Sequence, residues 1–179
     1  MPVDKSVVDA QLEKLGEFDQ WFTKKEIRYL PEVLDEDEEI KAITSGVHEG
    51  HTWLIVVTTR RILFLNKKLL YGLEQMEIPL AQITSVSFKT GLMFGEIEVD
   101  SAGSKKKIET ISKKDVSKVA ATISDLVKNI HARANTAQSN HQLDIISQLE
   151  KLAELKERGI LTEEEFLAQK AKLLGQSNP

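Results

Sequence analysis

Few residues in this chain have the types and spacing of a reactive centre. His48 and His51 have the His-x-x-His spacing of a zinc site, but only Glu49 lies nearby as a third ligand. The carboxylates of residues 35–39 offer oxygen ligands for calcium, yet the run lacks the alternating Asp or Asn and the glycine of a calcium loop. We therefore interpret both groups as solvated surface and expect no metal centre.

Nucleophile and phosphate-binding motifs are equally sparse. The chain has no cysteine, which excludes thiolate chemistry and disulfides and fits a reducing compartment. It contains no Gly-x-Ser-x-Gly, Gly-x-Gly-x-x-Gly or Walker sequence. We interpret the glycine-flanked segment 91–95 as a loop between strands. These observations predict a protein that is not an enzyme and that uses no cofactor, and they identify no small-molecule substrate.

Lysines form the most concentrated charge of the middle region. Lys105, Lys106, Lys107, Lys113 and Lys114 form a candidate basic corner that could contact acidic lipid headgroups, at about 1 kcal/mol per cation. A solvated hairpin tip is the alternative interpretation. Residues 41–131 hold 13 Lys and Arg against 9 Asp and Glu within a chain of net charge −4. That excess is too weak to predict nucleic-acid binding.

The N-terminal sequence favours neither secretion nor membrane insertion. Residues 1–16 mix acidic, basic and apolar side chains where a signal peptide would have a basic start and an apolar run. No apolar stretch approaches the roughly 20 residues that a bilayer requires. We expect a soluble, cytoplasmic protein.

Residues 1–39 are expected to form a helical segment. Apolar residues recur there every three or four positions, as on one face of an amphipathic helix, at Val8, Leu12, Leu15, Phe18 and Phe22. Thr23 and Glu26 have the spacing of a capping box, which predicts a second short helix. Pro31 should limit that helix, because the residue before a proline is pushed out of helical geometry.

Strand-like alternation begins at Ile40. Seven strands separated by turn residues are predicted over 40–45, 52–58, 61–66, 70–78, 83–89, 96–100 and 105–110. The second and third strands are apolar on both faces, so their outer face must also be covered. Either a second copy of the chain or the N-terminal helices would supply that cover. The first possibility predicts homo-oligomers that pair through an apolar sheet face.

Helical periodicity returns after the strands. Apolar residues spaced three and four apart from Val116 to Ile130 predict one amphipathic helix that plugs an open end of the sheet. The polar residues 132–141 are expected to be a linker. Residues 142–174 are predicted to form a detached helical hairpin. The predicted fold is thus an α+β domain over 40–131, an antiparallel barrel of about seven strands closed by a helix, flanked by two helical segments.

The turn of the C-terminal hairpin is specified in detail. Gly159 suits the left-handed position after a helix, which would place Ile160 against Leu155 in a Schellman motif. Thr162 and Glu165 have the spacing of a capping box that begins the next helix. Two helices of about 15 residues bury too little surface to be stable alone, so they are expected to dock on their own domain, on a copy of the chain or on another protein. The hairpin is therefore a candidate interaction element, with apolar residues at Leu149, Leu152, Leu155, Ile160, Leu161, Phe166 and Leu173.

Two segments resemble known families. Residues 41–46, 53–66 and 77–86 are similar to bacterial pleckstrin-homology (PH) domains, which have a strand ending in Thr, an Arg in the following turn, and an "Ile-Pro…Ile-Thr-Ser-Val" segment. Residues 145–174 resemble the SHOCT short C-terminal hairpin, with its "Leu-Lys-x-x-Gly-x-Leu-Thr-x-x-Glu-Phe" pattern. The resemblance implies a barrel-like PH fold that serves as an adaptor or assembly unit, and it implies no activity.

The resemblance does not carry over a phosphoinositide site. Many eukaryotic PH domains hold phosphates with cations of the first hairpin, and residues 45–51 here contain no Lys or Arg. We therefore expect a binding or assembly module, either a protein adaptor or a self-assembling scaffold, with weak or no membrane binding. The alternative is a peripheral binder of acidic membranes that uses the basic corner.

Overall fold

The structure is a computed structural model that describes residues 3–16, 23–68 and 72–175. Phe18 and Phe22 of the predicted first helix, and Leu70 at the start of the predicted fourth strand, lie outside these residues. The chain divides into two units, Met1–Ile130 and His131–Pro179.

The helices and strands follow the predicted order. The helices are α1 (Lys5–Leu15), α2 (Lys24–Ile27), α3 (Leu30–Val33), α4 (Lys113–Glu157) and α5 (Glu163–Gly175), with a short 3-10 helix at Leu80–Gln82. The strands are β1 (Ile40–His48), β2 (His51–Thr58), β3 (Arg61–Lys67), β4 (Leu73–Pro79), β5 (Ile83–Thr90), β6 (Phe94–Ser101) and β7 (Ser104–Ser112).

The seven strands form an antiparallel sheet in the order β4-β3-β2-β1-β7-β6-β5. The predicted α+β class and strand count are confirmed, but the sheet does not close into a barrel. β4 and β5 are its two edges within the described residues. Between β1 and β7 the register contains a single pair, Val47 opposite Glu109, so the two halves of the sheet are only briefly joined. Pro79, which lacks an N–H, ends β4 just before the 3-10 helix.

One face of the sheet packs on the start of α4. Val116, Val119 and Ile123 are buried against strand residues that include Ile55 and Phe64. These helix positions are spaced by three and four, as the sequence predicted. The amphipathic helix therefore closes the inner core of the first unit.

A second core covers the other face of β2 and β3. Leu54, Val56, Leu63 and Leu65 have no exposed surface and cluster with N-terminal residues, among them Val8, Leu30 and Leu34. Full burial of such a side chain contributes about 1.5–3 kcal/mol. The N-terminal segment is thus the cover, and the hypothesis that this apolar face pairs copies of the chain is wrong.

Two local predictions in the helical regions are corrected. Thr23 precedes α2 but makes no capping hydrogen bond, and Glu26 accepts one from the backbone N–H of Lys67 at 2.9 Å. The residues 132–141, predicted as a linker, are helical within α4. They contain no Gly or Pro, and the hydroxyls of Thr136 and Ser139 bond to carbonyls four residues earlier, which satisfies polar side chains inside a helix.

Candidate functional site

The first hairpin uses its histidine for structure. His48 is buried, and its Nδ1 donates to the carbonyl oxygen of Lys107 at 2.7 Å. The indole Nε1 of Trp53 donates to the carbonyl of His48 at 3.2 Å. His51 lies opposite on β2 and is exposed. Across residues 3–16, 23–68 and 72–175, no group of three or more His, Asp or Glu could hold a metal ion.

The candidate basic corner is split between the two ends of β7. Lys105 and Lys107 lie near the start of this strand, whereas Lys113 and Lys114 begin α4 after its end. At about 3.3 Å per residue, Lys105 and Lys113 are roughly 26 Å apart along the strand. Their proximity in sequence suggested one corner. An extended strand, however, separates residues far more than a turn does, so the two groups lie apart. Lys106 is half-buried within β7.

The lysines at the start of β7 face carboxylates. Lys107 Nζ lies 2.7 Å from Glu109 and 2.8 Å from Glu96, and these hydrogen bonds raise its pKa. Lys105 lies 2.9 Å from Glu98, which raises its pKa as well. Positive charge at this end of the strand is therefore largely neutralised, which disfavours attraction to an anionic surface.

The acidic run 35–39 contains a buried ion pair that the sequence interpretation missed. The Glu38 side chain is fully buried, and its carboxylate accepts bonds from Arg61 Nε and a terminal guanidinium nitrogen, both at 2.9 Å. It also accepts from Thr58 Oγ1 at 2.6 Å and from the Asp35 N–H at 3.1 Å. Arg61 further donates to the Val33 carbonyl and to Glu77. The network fastens the N-terminal segment to the β2–β3 turn.

Burial and hydrogen bonding act in opposite directions on Glu38. Burial raises the pKa of its carboxyl, but the bonds from Arg61, Thr58 and the Asp35 amide outweigh it and hold the pKa below the usual 4.5. The pKa of Arg61 is raised by the same contacts. The pair therefore stays ionised, and its role is structural.

The β5–β6 hairpin ends in exposed apolar side chains. Leu92 is 91% exposed and Met93 is 69% exposed, and Phe88 and Phe94 are about half exposed. We call these four residues the apolar tip. The sequence interpretation of residues 91–95 as a plain loop missed this surface, although three large apolar residues between two glycines were a visible signal.

The turn of the C-terminal hairpin is confirmed in its hydrogen bonds. Gly159 has a φ of 69°, its N–H donates to Lys156, and the Ile160 N–H donates to the Leu155 carbonyl at 3.0 Å. The Thr162 N–H donates to the Glu165 carboxylate at 2.9 Å, and the Glu165 N–H returns a bond to Thr162 Oγ1 at 3.2 Å. Both helix ends are therefore satisfied locally.

None of the seven apolar residues predicted for the hairpin is fully buried. Ile160 is exposed, and the other six are half-buried, namely Leu149, Leu152, Leu155, Leu161, Phe166 and Leu173. None of the 13 residues of α5 is buried. Further exposed apolar residues, absent from the predicted set, are Leu143, Ile146, Leu167 and Leu174.

An open seven-stranded antiparallel sheet packed on an amphipathic C-terminal helix defines a PH-like domain. The chain belongs to the family of bacterial PH domains, whose model matches residues 34–125. The short C-terminal domain, SHOCT, matches residues 147–174. Both resemblances noted in the sequence are thus confirmed, and the two domains together make the chain a binding module of a general kind.

Two solved structures are similar to part of the chain. One is a DUF1696 family protein with a pleckstrin-homology domain from Shewanella loihica PV-4, with 17% identity, a TM-score of 0.43, and coverage of 57% of this chain and 91% of that one. The other is a pleckstrin homology domain from Shewanella amazonensis SB2B, with 19% identity, a TM-score of 0.42, and coverage of 58% and 96%. A comparison with curated proteins found no match. Among the described residues, no helix combines the length and apolarity needed to cross a bilayer.

Proposed function

We propose that this protein is a non-enzymatic, cytoplasmic assembly module whose C-terminal hairpin pairs with the hairpin of a second copy. The observation that supports the proposal most is the contrast within the hairpin. Its turn is fully hydrogen-bonded, yet α5 buries none of its residues.

The energetics of short helices favour a partner. The first helix of the hairpin is the end of the 45-residue α4, but α5 has only 13 residues, a length at which an isolated helix is marginal in water. Most helical stability in proteins comes from packing an apolar face. The hairpin carries such residues at exposed positions, including Ile146 on α4 and Leu167 on α5. Two hairpins that pair by a two-fold axis would bury both sets in a four-helix arrangement.

Light scattering on the full chain tests this proposal with a matched pair of variants. Leu167→Glu places a charge on the exposed apolar surface of α5. Gln169→Glu adds the same charge two positions away, on the opposite side of the helix. We expect the wild type and Gln169→Glu to be oligomers and Leu167→Glu to be a monomer. A monomeric wild type, or equal masses for the two variants, would refute self-assembly through the hairpin.

A further inference from the structure

The apolar tip is a protruding turn of fixed geometry. Leu92 and Met93 occupy its two corner positions, and the Gly91 N–H donates to the Phe94 carbonyl at 2.7 Å across the turn. Turns of this kind usually carry Gly, Asn, Asp or Ser, because these residues tolerate the turn's dihedral angles or hydrogen-bond to its backbone. Large apolar side chains at the corners leave water only when something outside the hairpin covers them.

The backbone of the turn is prepared for a medium with little water. An apolar environment penalises N–H and C=O groups that lack partners. Here the Gly91 N–H and the Phe94 carbonyl bond to each other, and the Met93 carbonyl accepts from the Lys113 N–H at 3.2 Å. These two bonds lower part of the cost of bringing the turn near hydrocarbon.

Charge around the tip indicates which partner fits. The bond from Lys113 to Met93 places the start of α4 beside the turn. Lys113 and Lys114 are exposed at the start of α4, next to Asp115. Lys89, at the end of β5, is also highly exposed and lies 3.2 Å from Glu96. Exposed apolar side chains next to Lys113 and Lys114 match the interfacial region of an anionic bilayer, where apolar groups insert and cations meet headgroups.

We propose that the apolar tip inserts into the surface of anionic lipid bilayers, with Lys113 and Lys114 on the headgroups. This surface uses two lysines of the basic corner considered in the sequence, Lys113 and Lys114, but not Lys105–Lys107, which lie near the other end of β7. It is also separate from the hairpin assigned to self-assembly, so one proposal can fail without the other. A second copy of the chain is the competing occupant of the tip, and it would not require the lysines.

Vesicle sedimentation of the full chain tests the lipid contact. The probes are vesicles of phosphatidylcholine alone and of roughly three parts phosphatidylcholine to one part phosphatidylglycerol. We expect binding to the mixed vesicles, and a loss of about tenfold or more on Leu92→Ser with Met93→Ser. Lys113→Gln with Lys114→Gln should lose about fivefold per lysine. Control variants are Val7→Ser, an exposed apolar residue of α1, and Lys24→Gln with Lys25→Gln on α2.

A site-specific label gives a second readout that does not depend on losing binding. Because the chain has no cysteine, Met93→Cys carries an environment-sensitive fluorophore at one position. Its emission should shift to the blue on the mixed vesicles. Ala102→Cys, an exposed position in the β6–β7 turn at the other end of the same strand, should not shift.

The outcomes separate the lipid contact from its alternatives. The proposal is supported if vesicle binding is lost in the Leu92→Ser, Met93→Ser variant and weakened in the Lys113→Gln, Lys114→Gln variant, and if the emission shifts for the label at position 93 but not for the label at position 102. No binding of the wild type to mixed vesicles overturns it, and so does full binding of the Leu92→Ser, Met93→Ser variant. If that variant instead lowers the oligomer mass in solution without a change in vesicle binding, the tip is a contact between copies and the proposal is wrong.

Discussion

Replacing Arg61 with methionine should be among the most costly single changes near the β2–β3 turn. The variant keeps an unbranched side chain but removes two of the four hydrogen bonds to the buried Glu38 carboxylate. Breaking a buried ion pair by removing one partner costs about 3–5 kcal/mol, because the other charge stays buried. Glu38 retains its bonds from Thr58 and the Asp35 amide, so we expect about 3 kcal/mol, the lower end of that range.

Arg60→Met is the matched control because it changes the adjacent arginine. The Arg60 side chain is 53% exposed, against 17% for Arg61, and it pairs with exposed carboxylates. Such surface pairs contribute about 0–1 kcal/mol. Urea unfolding followed by tryptophan fluorescence, to which the buried Trp53 contributes, measures both losses.

A double-mutant cycle with Glu38→Gln tests the cause of the loss. If the buried charge is responsible, Arg61→Met should cost about 1–2 kcal/mol less in the Glu38→Gln background than in the wild type. Equal losses for Arg60→Met and Arg61→Met, or additive effects in the cycle, would refute the reasoning.

Three further predictions follow from single contacts. The pKa of the Glu38 carboxyl in the folded state lies below its unfolded value of 4.5, so its stabilisation is present above pH 4.5 and is lost as the pH falls through the folded value. The urea midpoint of the wild type should therefore fall in acid by more than the midpoint of Glu38→Gln. An equal change in the two proteins would contradict this. Gly46→Ala should destabilise the fold by about 1–3 kcal/mol, because a Cβ there would lie 2.6 Å from Ile108 Cγ2; thermal unfolding measures it, and an unchanged melting temperature would be the contrary result. Thr162→Ala should cost about 1 kcal/mol of hairpin stability through the lost bond to the Glu165 N–H. Circular dichroism during heating measures the loss of helix, and a melting curve identical to that of the wild type would argue against the prediction.

Much of the fold could be predicted because its signals are local. Alternation in the strands, the spacing of Val116, Val119 and Ile123, and the cap residues around Gly159 all act over a few positions. The cover on β2 and β3 could be anticipated from their two apolar faces, but the choice between a second copy and the N-terminal segment depends on tertiary packing that periodicity does not encode.

The candidate site was harder to predict because it depends on distance and burial. Lys105 and Lys113 are close in sequence, yet the length of β7 separates them. In the sequence, Glu38 is one carboxylate of a run that was interpreted as solvated. Only the fold buries it and brings Arg61, at the start of β3, into hydrogen-bonding distance. The polar segment 132–141 was predicted as a linker because it lacks an apolar stripe, but it contains no Gly or Pro, and about half of its residues are the good helix formers Ala, Arg and Gln, so α4 can continue through it.

Cysteine cross-linking of the hairpin tests the central claim of assembly most directly. The chain has no cysteine of its own, so Leu167→Cys and Gln169→Cys each introduce one thiol on α5. A disulfide requires the two Cα atoms to lie within about 7 Å, so it reports contact between the same helix of two copies. Mild oxidation of the full chain should give a covalent dimer with Leu167→Cys and little with Gln169→Cys. No dimer from Leu167→Cys, or equal yields from both positions, would contradict assembly through this face.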